Sequence, residues 1–264
     1  MNLGLQGKIA VVSGSTAGIG LAIAAALAAE GARVIINGRT EERVNAALDS
    51  IRERVPKADL RGVAADLGTS AGVETFLKKA PDADILINNL GIFEVKPFLE
   101  IPDSEWTRFF EVNVLSGVRL SRKYLPGMLK KNWGRVIFIS SESAQNIPTE
   151  MIHYGMTKTA QVAIARGLAQ SVTGTGVTVN SVLVGPTASE GAGIFLDNLA
   201  KQQNISKAEM EKMFFEKARP GSLLKRFETS EEVAAVVAFV ASTQALVING
   251  AAVRAEGGVI SSIF

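Results

Sequence analysis

Tyr154 and Lys158 stand four residues apart in His153-Tyr154-Gly155-Met156-Thr157-Lys158. The stretch that follows carries Val162, Ile164, Ala165 and Leu168 at helical spacing, so the two side chains stack on one helix face. A free phenol titrates near roughly 10 and keeps its proton at neutral pH. An ammonium held beside it favours the phenolate and is expected to lower that value, which suits Tyr154 to general acid or base work. Upstream, the apolar run Val136-Ile137-Phe138-Ile139 ends in Ser140-Ser141-Glu142-Ser143. A buried parallel strand that ends in hydroxyls can bring one of them to the same substrate oxygen. Spacing alone is weak support. Tyr124, the other tyrosine, has Met128 at the matching position and reads as packing.

These residues need elements to position them. Strand-like apolar runs fall at 9–13, 34–37, 61–64, 85–88, 136–140, 177–182 and 252–254. Helical patterns cover 19–30, 41–54, 71–79, 104–130, 152–172, 207–218 and 230–241. Strand–helix alternation with short connections predicts an α/β chain: one doubly wound, Rossmann-type parallel sheet of about seven strands with helices on both faces. Ligands of such sheets bind at the carboxyl ends of the strands, near the switch in strand order. The whole chain is expected to form a single catalytic domain.

The first strand–helix junction reads Ser13-Gly14-Ser15-Thr16-Ala17-Gly18-Ile19-Gly20. Its glycines permit a tight turn and close backbone approach to a pyrophosphate at a helix N-terminus. After the second strand, Ile36-Asn37-Gly38-Arg39-Thr40 has no acid to hold ribose hydroxyls. Arg39 instead offers a fork of donors to a 2′-phosphate, which favours NADP over NAD. Asp66 and Leu67 follow the third strand and are placed to meet the adenine. Asn89 and Gly91, in Asn88-Asn89-Leu90-Gly91, close the fourth strand beside the expected ribose.

Composition excludes several alternatives. The chain of 264 residues is 47% hydrophobic and 20% charged, enough to bury a large core. Its net charge of +2 leaves no basic stripe for nucleic acid. Zero cysteines rule out disulfides and thiolate chemistry, and one histidine argues against a His-rich metal site or a Ser-His-Asp triad. No apolar run reaches the roughly 18 residues of a membrane span, and no basic leader precedes the first strand, so a cytoplasmic protein is expected.

Taken together, these motifs resemble the classical short-chain dehydrogenase/reductases over residues 8–258. The Gly14–Gly18–Gly20 turn, Asn88-Asn89-Leu90-Gly91, Tyr154 with Lys158, and Val184-Gly185-Pro186-Thr187 match the family's signatures, with Leu90 for an alanine and Val184 for a proline. The resemblance implies that Ser141, thirteen residues before Tyr154, is the catalytic serine, and that Asn113 anchors a proton relay to Lys158. It also implies that Lys158 holds the nicotinamide ribose, that Gly185 and Thr187 border the nicotinamide, and that Ser189 meets the phosphates. The helices at 104–130 and 152–172 are implied to pair into a dimer or homotetramer.

The implied reaction is NADP(H)-dependent interconversion of a carbonyl and a secondary alcohol. Residues 188–228 form a long connection read as a lid, with glycines 191 and 193 as hinges and Ile194, Phe195, Met210, Met213, Phe214 and Phe215 over the substrate. Ile92, Phe93, Ile147, Pro148 and Met151 are expected to complete an apolar pocket. No arginine or lysine is evidently placed to grip a substrate carboxylate, so a neutral apolar substrate is expected. The competing readings are an NADP(H)-binding regulatory protein without turnover, and a methyltransferase or other nucleotide binder.

Overall fold

In this computed structural model the described residues are 2–263, without the side chains of Ile194, Phe195, Leu199 and Gln202. Seven parallel strands form the central sheet: β1 (Ile9–Val12), β2 (Arg33–Gly38), β3 (Leu60–Ala64), β4 (Ile85–Asn88), β5 (Gly134–Ile139), β6 (Val177–Val184) and β9 (Ala252–Ala255). Their order is β3-β2-β1-β4-β5-β6-β9. The chain therefore builds outward from β1 to β3, crosses back, and builds outward again from β4. Neighbouring β1 and β4 flank the switch point, where the connections diverge and leave a crevice.

Period-two alternation divides the core into two layers. Ala10 and Val12 of β1, Ile85 and Ile87 of β4, and Ile137 and Ile139 of β5 face helices α1 (Gly18–Ala29), α2 (Glu41–Arg54) and α9 (Ser230–Ala241). Val11, Leu86, Val136 and Phe138 face α3 (Ser70–Lys79), α5 (Ser116–Lys130) and α6 (Ile152–Ser171). With both faces covered, the strands read as continuous apolar runs. All seven expected strands are present.

The run 104–130 differs from the single helix its pattern predicts. It comprises α4 (Asp103–Phe110), a π-helical turn (Glu111–Leu115) and α5. Such a widened turn re-aims side chains within a helix and often marks a functional site; here it carries Asn113. Residues 188–228 are also more regular than a bare lid. They hold α7 (Glu190–Gln203), α8 (Lys207–Met213), a π-helical turn (Phe214–Ala218), and β7 (Thr187–Ala188) paired in parallel with β8 (Glu228–Thr229). Gly191 and Gly193 lie in the first turn of α7, where Ser189 accepts a hydrogen bond from the Ala192 N–H as N-cap. No helix among the described residues is long and apolar enough to cross a membrane.

Candidate active site

The turn between β1 and α1 is held by buried polar side chains. Ser15 Oγ donates to the Val12 carbonyl (2.7 Å) and accepts from the Asn37 N–H, while Asn37 Oδ1 accepts from the Gly14 N–H (3.2 Å). The Asn37 amide also donates to the Val63 and Ala65 carbonyls, so it ties β2, β3 and the turn together rather than facing the crevice. Asn89 Nδ2 donates to the Ser13 and Gly14 carbonyls at 3.0 and 2.9 Å. Gly14 and Gly18 have φ of +61° and +52°, which L side chains rarely adopt. A Cβ on Gly20 would collide with Asn89 Nδ2 and the Gly14 carbonyl. Thr16 packs over Gly38, and Ile19 lines the crevice.

Arg39 is exposed at the carboxyl end of β2, and no ion pair joins it to an acid among the described residues. Asp66 is exposed, with Oδ1 accepting from the Gly68 N–H, while Leu67 is buried in the core, leaving only its backbone for a ligand. Gly91 separates Asn113 from Lys158: a Cβ there would stand 3.6 Å from both Asn113 Oδ1 and Lys158 Nζ. Asn113 accepts from the Ile92 N–H (2.8 Å) and donates to the Ile92 carbonyl and Thr157 Oγ1. Its own carbonyl accepts from Gln161 Nε2 (2.6 Å). The widened turn thus locks to both the β4 end and α6.

Ser141, Tyr154 and Lys158 meet on one cavity of about 960 Å³ that also reaches Ile19, Asn89 and Gly91. Burial pushes the Tyr154 phenol up to about 12, against a hydrogen bond with Ser141 that favours the phenolate. The expected lowering by Lys158 is absent. Lys158 Nζ lies 5.5 Å from the centre of the Tyr154 ring and donates to the Ile139 carbonyl (2.9 Å). Its burial pulls the ammonium down to about 8. Desolvation outweighs the lysine's influence and holds Tyr154 as a protonated acid. Ser140 is turned away, donating to the Lys158 carbonyl (2.9 Å).

Two neighbours of the serine and the tyrosine are buried. His153 is fully buried, its ring 4.1 Å from that of Phe109 and 6.0 Å from Trp106, and burial lowers its pKa. It is a packing residue. Glu142 is buried rather than solvated, and its Oε1 accepts from Arg219 Nε at 2.8 Å. Arg219 lines the cavity, with its guanidinium paired to Glu142. Nothing local in the sequence pairs residues 142 and 219.

At the far wall, Thr187 Oγ1 donates to the Gly185 carbonyl (3.0 Å), and Glu228, whose carboxyl burial pushes up to about 7, stands behind it. Ser189 packs against Gly18, 3.1 Å from where a Cβ would stand. Ile92, Phe93 and Met151 line the cavity, whereas Ile147 and Pro148 do not. Phe214, Phe215 and Phe227 cluster with centroids 5.1–5.2 Å apart, Phe214 stacked on Phe227 and Phe215 edge-on to both, and Phe214 and Phe227 also reach the cavity. Ile194 and Phe195 lie outside the described side chains. Tyr124 is packing, as expected: it is buried and donates to the Ala80 carbonyl (2.7 Å).

Comparison with known proteins gives the same frame. Residues 8–199 match the short chain dehydrogenase family. The chain is 50% identical over 264 residues to the uncharacterized oxidoreductase YvaG of Bacillus subtilis, covering 100% of both. It is 32% identical over 263 residues to the D-beta-hydroxybutyrate dehydrogenase of Cupriavidus necator, covering 96% of this chain and 98% of the relative. Its fold superposes on the L-sorbose reductase of Gluconobacter frateurii, solved with NADPH and L-sorbose, at a TM-score of 0.94 and 29% identity over 100% of both chains. With the family matched over most of its length and a half-identical relative matched end to end, the chain belongs to the short-chain dehydrogenase/reductase family of oxidoreductases.

Proposed function

We propose that the protein is an NADP(H)-dependent oxidoreductase that interconverts a neutral, largely apolar carbonyl compound and its secondary alcohol. The observation that carries this is the meeting of Ser141, Tyr154 and Lys158 on the cavity that the glycine turn also borders. A bound nicotinamide supplies hydride donation or acceptance there. The residues present fit that group. Gly14, Gly18 and Gly20 leave backbone room for a pyrophosphate at the α1 N-terminus, with Ser15 and Thr16 fixing the turn, Ile19 beside it and Ser189 opposite. Arg39 is free to take a 2′-phosphate, Asp66 and the Leu67 backbone lie at the adenine side, and Asn89 and Gly91 border the ribose. Lys158 holds the nicotinamide ribose hydroxyls, and Gly185 and Thr187 face the carboxamide.

Tyr154, kept protonated by burial, gives its proton to the substrate oxygen during reduction. Ser141 hydrogen-bonds that oxygen as negative charge grows on it, a contact that strengthens in the transition state. Once cofactor and substrate have displaced water, Lys158 stabilises the phenolate left behind, and Asn113 relays protons back toward it. The preference for NADP is supported by Arg39, by the missing acid at the β2 end, and by the NADPH found with L-sorbose reductase. The protein is further proposed to form a dimer or tetramer through α5 and α6.

The competing regulatory reading is disfavoured because a cofactor sensor has no use for a serine-bonded phenol and a buried lysine at the cofactor edge. Titration with NADPH and NADH, followed by the fluorescence of the bound cofactor, and then addition of neutral ketones and aldehydes separates the two. Tighter NADPH binding with cofactor consumption is expected. Binding without consumption of cofactor would overturn the catalytic proposal, and tighter NADH binding the cofactor preference.

A further inference from the structure

Glu142 directly follows Ser141, in the short 3₁₀ turn Glu142–Ala144, and its residue is only 3% exposed. Its two carboxylate oxygens differ. Oε1 accepts from Arg219 Nε at 2.8 Å and from Ser143 Oγ at 3.2 Å. Oε2 is buried and has no hydrogen-bond partner. Both Glu142 and Arg219 belong to the wall of the cavity that holds Tyr154. Arg219 balances the carboxylate's charge, so the pair is neutral overall, and Glu150, 3.7 Å from Arg219 Nη1, adds a further negative charge at the rim. A substrate carboxylate would meet this second acid as well as the unpartnered, buried Oε2.

A buried carboxylate oxygen without a donor is costly, and a ligand hydroxyl removes that cost whereas an ether or a bare methylene does not. Ser141 meets the reacting oxygen, so the donor that reaches the adjacent Glu142 lies a short way along the same carbon chain. Resting on the proposed hydride transfer, we infer that Glu142 Oε2 accepts a hydrogen bond from a substrate hydroxyl close to the reacting carbonyl, which makes the substrate a neutral hydroxyketone. In its reduction the carbonyl carbon gains the hydride from NADPH, which becomes NADP+, and the carbonyl oxygen gains the Tyr154 proton. The second hydroxyl is unchanged, and the product is a diol.

The test compares a straight-chain methyl ketone with its α-hydroxy, α-methoxy, β-hydroxy and β-methoxy derivatives, using the wild-type protein and NADPH. A hydroxy compound is expected to exceed its methoxy partner in kcat/KM by about thirtyfold, the scale of a hydrogen bond to a charged group. In Glu142→Gln the amide oxygen stays on Arg219 Nε–H, a donor only, and the amide NH₂ replaces Oε2. The hydroxy-to-methoxy ratio then collapses to within about threefold, the two hydrogen-bonding roles having been exchanged. Equal rates for hydroxy and methoxy compounds in the wild type, or an unchanged ratio in a variant that melts cooperatively, overturn the inference. If the variant does not fold, the wild-type ratio decides. If no ketone consumes NADPH, the hydride-transfer proposal fails. Calorimetry of a vicinal diol against its monomethyl ether then still tests Glu142: preference for the diol upholds its role, and equal binding overturns it.

Discussion

The two ends of the crevice handle their polar groups in opposite ways. At the β1 end, Ser15 and Asn37 spend their hydrogen bonds on the turn itself, and Asn89 Nδ2 closes it from β4. What remains for a ligand there is mainly backbone N–H and space, which suits a group shared by many enzymes. At the β5 end, burial holds Tyr154 and Lys158 away from their ordinary protonation behaviour, and one oxygen of Glu142 has no donor. A satisfied network makes a rigid, generic socket, whereas unsatisfied groups are where selectivity and chemistry reside. The first end rests on contacts close in sequence or on adjacent strands; the second depends on Arg219, contributed from 77 residues beyond Glu142.

That contrast breaks most sharply at Tyr154. Tyr154→Phe is expected to lower kcat at least about a thousandfold while NADPH fluorescence titrations stay near wild type, because general acid catalysis is lost and the socket is untouched. Arg219→Ala strands the buried Glu142 charge and is expected to cost about 3 kcal/mol of stability, read as a fall in the denaturant midpoint. Replacing Glu142 and Arg219 together by apolar residues of similar volume should recover most of that loss. Arg39→Ala is expected to reduce kcat/KM with NADPH about thirtyfold and leave the NADH value nearly unchanged, sharpening the view of the socket as generic apart from one cation.

Acid–base behaviour marks the β5 end and the far wall of the cavity more gently. Lys158 titrates near 8, below its ordinary value, so its charge is lost as pH rises through 8. The pH profile of kcat/KM for reduction should therefore fall above about pH 8, approaching tenfold per unit. Glu228 is raised from 4.5 to about 7. Its protonated form is favoured by folding, so its stabilising contribution is full below about 4.5 and is lost as pH rises to about 7. Glu228→Gln is accordingly expected to raise the Tm at pH 8 by a few degrees relative to wild type and to leave it nearly unchanged at pH 4.5.

How much of this was legible in the sequence follows from the range of the interactions. The strands announced themselves because both sheet faces are covered, Gly14 and Gly18 because their backbone conformation restricts residue choice locally, and Gly20 because a Cβ there would strike the turn. The π-helical turn at Glu111–Leu115 left no trace, since its residues keep the apolar spacing of an ordinary helix. Helix α7 was hidden by glycines in its first turn, although Ser189 just before Glu190 was an available N-cap signal. Spacing predicts the opposite direction for the Tyr154 shift, because it reports proximity to Lys158 and says nothing of desolvation. Glu142 carried a signal of its own, a charge set beside a buried strand end that demands a cation. With fourteen arginines and as many lysines in the chain, only the fold selects Arg219.

The central claim is that Ser141, Tyr154 and Lys158 serve hydride transfer at the edge where the glycine turn seats NADPH. Its most direct test mixes the protein with NADPH deuterated at the transferable position of the nicotinamide and a panel of neutral ketones and hydroxyketones, and follows the label by mass spectrometry. Deuterium on the carbinol carbon of a product alcohol with the wild-type protein, and none above background with Tyr154→Phe, is the predicted result. Tight NADPH binding with the label retained on the cofactor throughout would contradict it.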